Sequence, residues 1–216
     1  ECHEGFCAKL MGLSLRNIGL QVFDARTQRV IFSDFGEMLF THFGVSGPVV
    51  LSASAHMRDM SPERYQLRID LKPTRTIEQL DTRLLRAFAE NANKQFVNVL
   101  NTLLPKRLSP VAAALSRIPP NLAVNQITRE QRQTITRLLK CLAIGVTGFR
   151  PIDEAIITSG GIAVDEVQPG TMQSKHVRGL YFAGEVLDVD AYTGGFNLQI
   201  AFSTGHLAGL SAATIC

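Results

Sequence analysis

The sequence predicts an α+β protein in which strand-forming and helix-forming stretches are segregated along the chain rather than alternating. Three observations carry this. Residues 13–53 are rich in β-branched and aromatic side chains with turn signals between them, and residues 74–145 are dominated by leucines at helical spacing between prolines. From Phe149 onward, short strand-like runs and glycine turns return and end in an apolar, small-residue helix. At 216 residues and 45% hydrophobic content the chain has room for one large domain or two small ones with a sizeable core.

Taken in order, Ser14 to Phe23 alternates as a half-buried strand, Asp24 to Gln28 is a polar hairpin connection, and Arg29 to Ser33 resumes the strand. Tyr65 to Leu71 alternates strictly, so one face of its sheet should be wet. After Pro73, Thr74 or Thr76 caps a helix whose Leu80, Leu84, Leu85 and Phe88 share one face. Further helices are expected over Lys94 to Leu104, Val111 to Ser116 and Thr128 to Cys141, the last opened by a capping box of Thr128 and Gln131. Pro105, Pro110 and Pro119-Pro120 should separate them. Ala155 to Thr158 and Ile162 to Val164 read as strands around Ser159-Gly160-Gly161. Gly179 to Glu185 reads as a short buried strand ending in glycine and an acid, and Gly195 to Ala213 as a buried helix.

The net charge of +3 arises from 22 basic and 19 acidic residues interspersed along the chain, so no nucleic-acid partner is expected. No apolar run reaches the roughly 18 to 20 residues that cross a bilayer, and no signal-peptide layout opens the chain, so the expectation is a cytoplasmic protein without a membrane partner. Cys2, Cys7, Cys141 and Cys216 lack a framework spacing and read as free thiols. Cys2, His3 and Cys7 lack the second ligand pair of a zinc site, so no metal is expected. A chain starting at Glu1 rather than Met reads as a piece of something longer.

Three runs carry chemistry. In Gly179-Leu180-Tyr181-Phe182-Ala183-Gly184-Glu185, glycine permits close approach of a ligand's sugar-phosphate chain while the carboxylate can accept hydrogen bonds from hydroxyls. Gly194-Gly195-Phe196-Asn197 opens a helix whose first N–H groups suit an electron-rich or anionic atom. Gly36 to Pro48 packs glycines, hydroxyls and His42 into an apolar stretch, and His42 is its one side chain able to exchange protons near neutral pH. The Gly44 to Pro48 portion lacks the Lys-Ser/Thr ending of a phosphate loop. The sequence contains no G-x-G-x-x-G, G-x-S-x-G, H-E-x-x-H or C-x-x-C.

These runs in this order resemble the flavoprotein family of aminoacetone oxidase and the BaiN-like proteins. The family's Gly-Glu-Met-Leu-Phe-Thr-His-Phe-Gly-x-Ser-Gly-Pro is matched at Gly36 to Pro48. Its Gly-Leu-Tyr-Phe-x-Gly-Glu-x-Leu-Asp is matched at Gly179 to Asp188, and its Thr-Gly-Gly-Tyr-Asn at Thr193 to Asn197, with Phe196 replacing the tyrosine. Thr158 to Ile162 is similar to Thr-x-Gly-Gly-Val.

The resemblance implies an FAD-dependent oxidoreductase, with NAD(P)H a candidate electron donor and a small organic substrate. Its architecture would be a β-rich, barrel-like insertion domain over residues 1–73, incomplete at its N-terminus, then a small helical subdomain over 74–148. A return of the β-rich part would follow over 149–178, and the closing strand and helix of a Rossmann-like FAD-binding domain over 179–216. The dinucleotide-binding half would precede this chain as its partner, and without it α-helical apolar surface near the C-terminus would stay uncovered. By matching positions, Gly184 and Glu185 would meet the ribityl chain, Gly194, Gly195, Phe196 and Asn197 the pyrimidine side of the flavin, and Gly160, Gly161 and Asp188 would lie near it. His42 is the candidate catalytic residue. Two other readings stand beside this one: a non-catalytic insertion-domain fragment that binds no cofactor, and a small-anion site at the Gly194-Gly195 helix start.

Overall fold

The computed structural model describes residues 1–214, so Cys216 lies outside the described residues. The chain divides into two compact units, Glu1–Phe149 and the residues from Arg150 onward.

The first unit is built on one five-stranded antiparallel sheet of order β3-β2-β1-β4-β5. Its strands are β1 (Ser14–Asp24), β2 (Arg29–Thr41), β3 (Gly44–Ser46), β4 (Tyr65–Asp70) and β5 (Leu142–Gly145). Alternation decides which face is dry. Leu20 and Val22 of β1, Tyr65, Leu67 and Ile69 of β4, and Leu142 and Ile144 of β5 are buried, while Gln66, Arg68 and Asp70 point the other way and stay half-exposed. In β1 the period slips once. A bulge between Leu15 and Ile18 absorbs Arg16 and Asn17, so that Leu15 and Ile18 both reach the core despite their odd spacing. The second strand runs well past the expected Ser33, because Glu37 to Thr41 continues in register and turns back into β3.

The sheet is tied across its open side by the first residues. The Cys2 amide donates to the carbonyl of Phe43 in the β2–β3 hairpin (3.0 Å) and the His3 amide to Gly145 (3.1 Å). The Glu1 carbonyl accepts from Thr147 (3.0 Å), so residues 1–3 join the β2–β3 hairpin to the continuation of β5. Gly44 is obligatory here, since a Cβ on it would stand 2.7 Å from Cys2 Sγ and 2.8 Å from the Cys2 amide nitrogen. Two short helices, α1 (Phe6–Lys9) and α2 (Pro48–Ser54), complete this part, and Pro48 sits at the tolerated first position of α2.

The helical layer comprises α3 (Ile77–Glu90), α4 (Phe96–Leu100), α5 (Leu108–Ser116) and α6 (Arg129–Lys140). Capping boxes fix the starts of α3 and α6: the Thr76 hydroxyl accepts from the Gln79 amide and the Thr128 hydroxyl from that of Gln131, and both glutamines reach back to the cap. Leu80, Leu84 and Phe88 are buried as expected, but Leu85 is 51% exposed, because residues 84 and 85 lie about 100° apart and only one can face the core. The helix expected over Lys94 to Leu104 shrinks to α4. The backbone on either side of its start is taken by tertiary pairing: Val124 donates to Lys94 and Phe96 to Leu122. Pro110 does not break α5, since it occupies the first turn, where a missing N–H costs no bond.

The second unit contains no regular strand among its described residues. Three 3-10 turns, Ile152–Glu154, Val164–Glu166 and Gly184–Val186, and three isolated bridges organise it around Val167, Met172, Leu187 and Ala208. The strand expectations for Ala155–Thr158, Ile162–Val164 and Gly179–Glu185 are therefore corrected: only single bridges form, Ile162 with Leu187 and Tyr181 with Gln173, and Leu180 is 41% exposed. A short apolar strand is held by neighbours on its edges, and none stands beside these runs within the unit. The last element, α7 (Phe196–Ala213), forms as a helix, but the expectation of burial fails, with Ala208 its one buried residue.

Candidate cofactor site

The glycine runs of the second unit are built into one local frame. Gly184–Val186 forms a tight turn whose first amide donates to the Thr204 hydroxyl of α7 (3.0 Å), and that hydroxyl in turn donates to Ile200 O (2.7 Å). The turn is thereby pinned to the helix with Glu185 at its crest. Glu185 is exposed, and no hydrogen bond or ion pair among the described residues engages its carboxylate.

Beside the turn runs the strap around Gly160 and Gly161. The Ile162 amide donates to Val186 O (2.8 Å) and the Asp188 amide to Ile162 O (2.9 Å), while the Asp188 carboxylate accepts from the Gly160 amide (2.9 Å). The strap lies so close to residues 186–188 that a Cβ on Gly161 would stand 2.4 Å from Val186 O. Gly161 is thus explained by this backbone contact and Asp188 by holding the strap, whereas a Cβ on Gly160 would meet open space.

The third part is the start of α7. Gly195 is its N-cap in the left-handed conformation, φ +88°, and no side chain caps the helix. The amides of Phe196, Asn197 and Leu198 therefore lack intrahelical acceptors, and the partial positive charge of an 18-residue helix collects on them. Asn197 spends its side chain locally, accepting from the Ala191 amide (2.8 Å) and donating to the Ala191 carbonyl (2.9 Å), which fixes the loop through Thr193 and Gly194. Phe196 is 60% exposed, with its ring 3.4 Å from where a Gly194 Cβ would stand.

The site residues inferred from sequence in this region, Gly160, Gly161, Gly184, Glu185, Asp188, Gly194, Gly195, Phe196 and Asn197, all lie within this frame of the second unit. Sequence reasoning missed Thr204, the anchor of the Gly184 turn. Its signal was a hydroxyl in an apolar helix two turns beyond Phe196.

His42 belongs to the first unit, where it sits exposed at the β2–β3 turn, edge-on to Phe43 at 5.0 Å between ring centroids. Most of the Gly36 to Pro48 run around it is accounted for by packing: Met38 and Phe40 are fully buried, Val45 is in the core, and Gly36 lies against Val49. His42 has no such role. Among the described residues no cluster of His, Cys, Asp or Glu could hold a metal ion, and Cys2, Cys7 and Cys141 are free thiols. No helix among them is long and apolar enough to cross a membrane.

The curled antiparallel sheet with its helical layer defines the class. Residues 2–157 match the HI0933-like protein barrel and H2TH domain, and the chain belongs to this family, in agreement with its resemblance to BaiN-like FAD-dependent oxidoreductases. Among individual proteins it is 32% identical over 192 residues to the 3-dehydro-bile acid delta(4,6)-reductase of Clostridium scindens, an overlap covering 86% of this chain and 46% of that protein. It is 34% identical over 167 residues to the ribosomal RNA dihydrouridine synthase of Escherichia coli, with coverage of 77% and 40%. Against the synthase of the same name from Haemophilus influenzae it is 30% identical over 179 residues, with coverage of 83% and 43%. The chain spans less than half the length of each of these curated relatives.

Proposed function

We infer that this chain is the C-terminal part of an FAD-dependent oxidoreductase in which bound flavin exchanges a hydride with an organic substrate. The observation that carries this reading is the open start of α7, with two glycines, no capping side chain and amides without acceptors, on the same helix whose Thr204, two turns further along, pins the Gly184–Glu185 turn. Gly195 and Gly160 face open space where any side chain would narrow the approach, so the residues present fit a flat, electron-rich ring with a polyhydroxyl tail. Glu185 and the Gly184 turn would hold the ribityl chain, and the amides of Phe196 and Asn197 would face the pyrimidine oxygen. The flavin, when bound, supplies hydride transfer, and NAD(P)H is the electron donor that fits it. The protein's part is to favour negative charge at the helix start and to orient the ring.

The names of the relatives point to one bond type. Dihydrouridine is uridine reduced across a carbon–carbon double bond, and the delta(4,6) label likewise denotes double bonds in the bile acid. Reduction of a conjugated double bond is therefore the reaction class we assign. A dinucleotide-binding half would supply the adenine side of the cofactor and cover α7. A second reading, a fragment that binds no cofactor alone, is favoured by the exposed face of that helix.

The test uses the intact protein with its dinucleotide-binding half. Oxidised flavin bands near about 370 and 450 nm should accompany the purified protein. Glu185→Ala should release FAD on gel filtration, the loss of a charged hydrogen bond being worth about 1.5 to 3 kcal/mol. A colourless intact protein that takes up no FAD would overturn the reading, and an unchanged FAD dissociation constant in Glu185→Ala would remove Glu185 from the site.

A further inference from the structure

The wet face of the sheet carries a cleft of about 280 Å³. Gly19 and Gln21 of β1, Ser33 of β2, Arg68 and Asp70 of β4 and Lys140 at the end of α6 line it. Strand register puts Ser33, Gln21 and Arg68 in one row across the sheet, with Gly19 beside Asp70 in the next.

Gly19 stands inside β1, where a residue without a side chain weakens a strand. The fold does not require it. Its backbone lies outside the left-handed region, and a Cβ would stand 3.5 Å from Asp70 Cβ and 3.7 Å from Pro73 Cβ, an ordinary contact distance. What the missing side chain does is leave the floor of the cleft open, as a glycine in a strand does where a ligand comes close.

Arg68 is half-buried and held in place from two directions. Its guanidinium carbon sits 3.6 Å from the centroid of the Phe23 ring, and its Nε donates to Gln66 Oε1 (3.0 Å). These contacts fix the plane of the group and leave its terminal nitrogens, which no other hydrogen bond or ion pair engages among the described residues. The remaining charges of the cleft are spent. Asp70 accepts from the Lys72 amide (2.8 Å) and pairs with Lys140 (2.5 Å), and the Lys140 ammonium also donates to the carbonyls of Lys72 (3.2 Å) and Arg75 (2.6 Å).

One positive charge is therefore left over, on a flat fork with two donors side by side. That fork matches the two oxygens of a carboxylate in its own plane, whereas a phosphate dianion would be left half neutralised next to Asp70. The Ser33 hydroxyl and the Gln21 amide can each donate and accept, so a further oxygen on the ligand finds a partner there. Pockets for ring systems are larger and mostly apolar, so the small, polar cleft suits a short chain.

We propose that this cleft binds a short monocarboxylate that carries a hydroxyl or keto oxygen. The carboxylate lies on Arg68, and the second oxygen meets Ser33 and Gln21 over the Gly19 floor. The site belongs wholly to the first unit and does not rest on the flavin reading.

Calorimetric titration of the intact protein with L-lactate tests it. Saturable binding is expected at about millimolar concentration or tighter. Arg68→Lys keeps the charge but loses the fork, and should weaken lactate at least about tenfold with the melting temperature nearly unmoved. Gly19→Ala should weaken it by a similar factor while melting no lower than the parent, because alanine costs a strand less than glycine. The control Arg26→Gln removes an exposed cation from the β1–β2 turn and should leave the affinity unchanged. Cys141 is exposed and also lines the cleft, so bound lactate should slow its alkylation by iodoacetamide, followed by mass spectrometry at that residue. Absence of saturable binding, an affinity unaltered by Arg68→Lys or Gly19→Ala, inorganic phosphate binding more tightly than lactate, or a Cys141 that lactate does not protect would each overturn the proposal.

Discussion

Asp24 and Lys72 show opposite ways in which one ionisable side chain can bear on stability. Asp24, at the end of β1, is 2% exposed, accepts from the amides of Arg26 (2.8 Å) and Thr27 (3.3 Å), and pairs with Arg64 at 3.1 Å. The Arg64 guanidinium holds its carboxyl below the usual aspartate range. The folded value thus lies below the unfolded value of about 3.9, so the contribution is complete above that pH and disappears as pH falls through the folded value. Asp24→Asn should lower the melting temperature at pH 7 and shrink the loss of stability between about pH 4 and the folded value. An unaltered acid limb in calorimetry would contradict this. For Lys72 the charged form is the one the fold penalises, so stability should rise as pH climbs through its lowered value toward about 10.4. Single replacement by Gln should raise the melting point near neutrality. His42 is a different case, since it is exposed and makes one ring contact. If it moves a proton, His42→Gln should cut turnover of the intact enzyme by about 10² to 10⁴ with the melting temperature unmoved. Normal turnover at saturating substrate would end its catalytic candidacy.

Among the elements, α6 is the one whose start was readable in advance, because a Thr followed three residues later by Gln satisfies two orphan amides reciprocally; for α3 the sequence left Thr74 and Thr76 both open, and the bond from the Gln79 amide selects Thr76. Thr128→Ala should cost about 1 kcal/mol in urea unfolding, within the range found for cap removal. A midpoint equal to the parent's would show that the tertiary contacts of α6, among them the Arg132–Asp81 pair, fix that end without the cap. The strands were legible where one face is wet, as in β4, where Tyr65, Leu67 and Ile69 alternate with Gln66, Arg68 and Asp70. The bulge in β1 was not, since nothing local in Arg16-Asn17 marks it; pairing against β2 and the need to bury both Leu15 and Ile18 decide it. The short extent of α4 has the same origin, as partners some thirty residues away claim its flanking backbone.

At the scale of the whole molecule, α7 is the unsettled element. Phe196, Leu198, Phe202 and Leu210 are each 57% or more exposed on a helix apolar on all sides, a composition that belongs in an interior. Phe202→Asp together with Leu210→Asp should leave the melting transition of the chain nearly unchanged while abolishing concentration-dependent association in sedimentation, and should weaken pairing with a dinucleotide-binding half. A large fall in melting temperature would show instead that the helix already packs on its own unit. By itself the sequence determined the α+β class, the wet and dry faces of β4, the start of α6, and the family, because each rests on local periodicity or on a contiguous run of residue types. Only the tertiary structure decided that residues 1–3 tie the sheet across its open side, that Asp188 and Thr204 hold the glycine turns, and that Gly179–Glu185 is no strand. Those outcomes depend on which backbone groups find partners far along the chain, and a strand or a buried helix exists only where another element supplies its second surface.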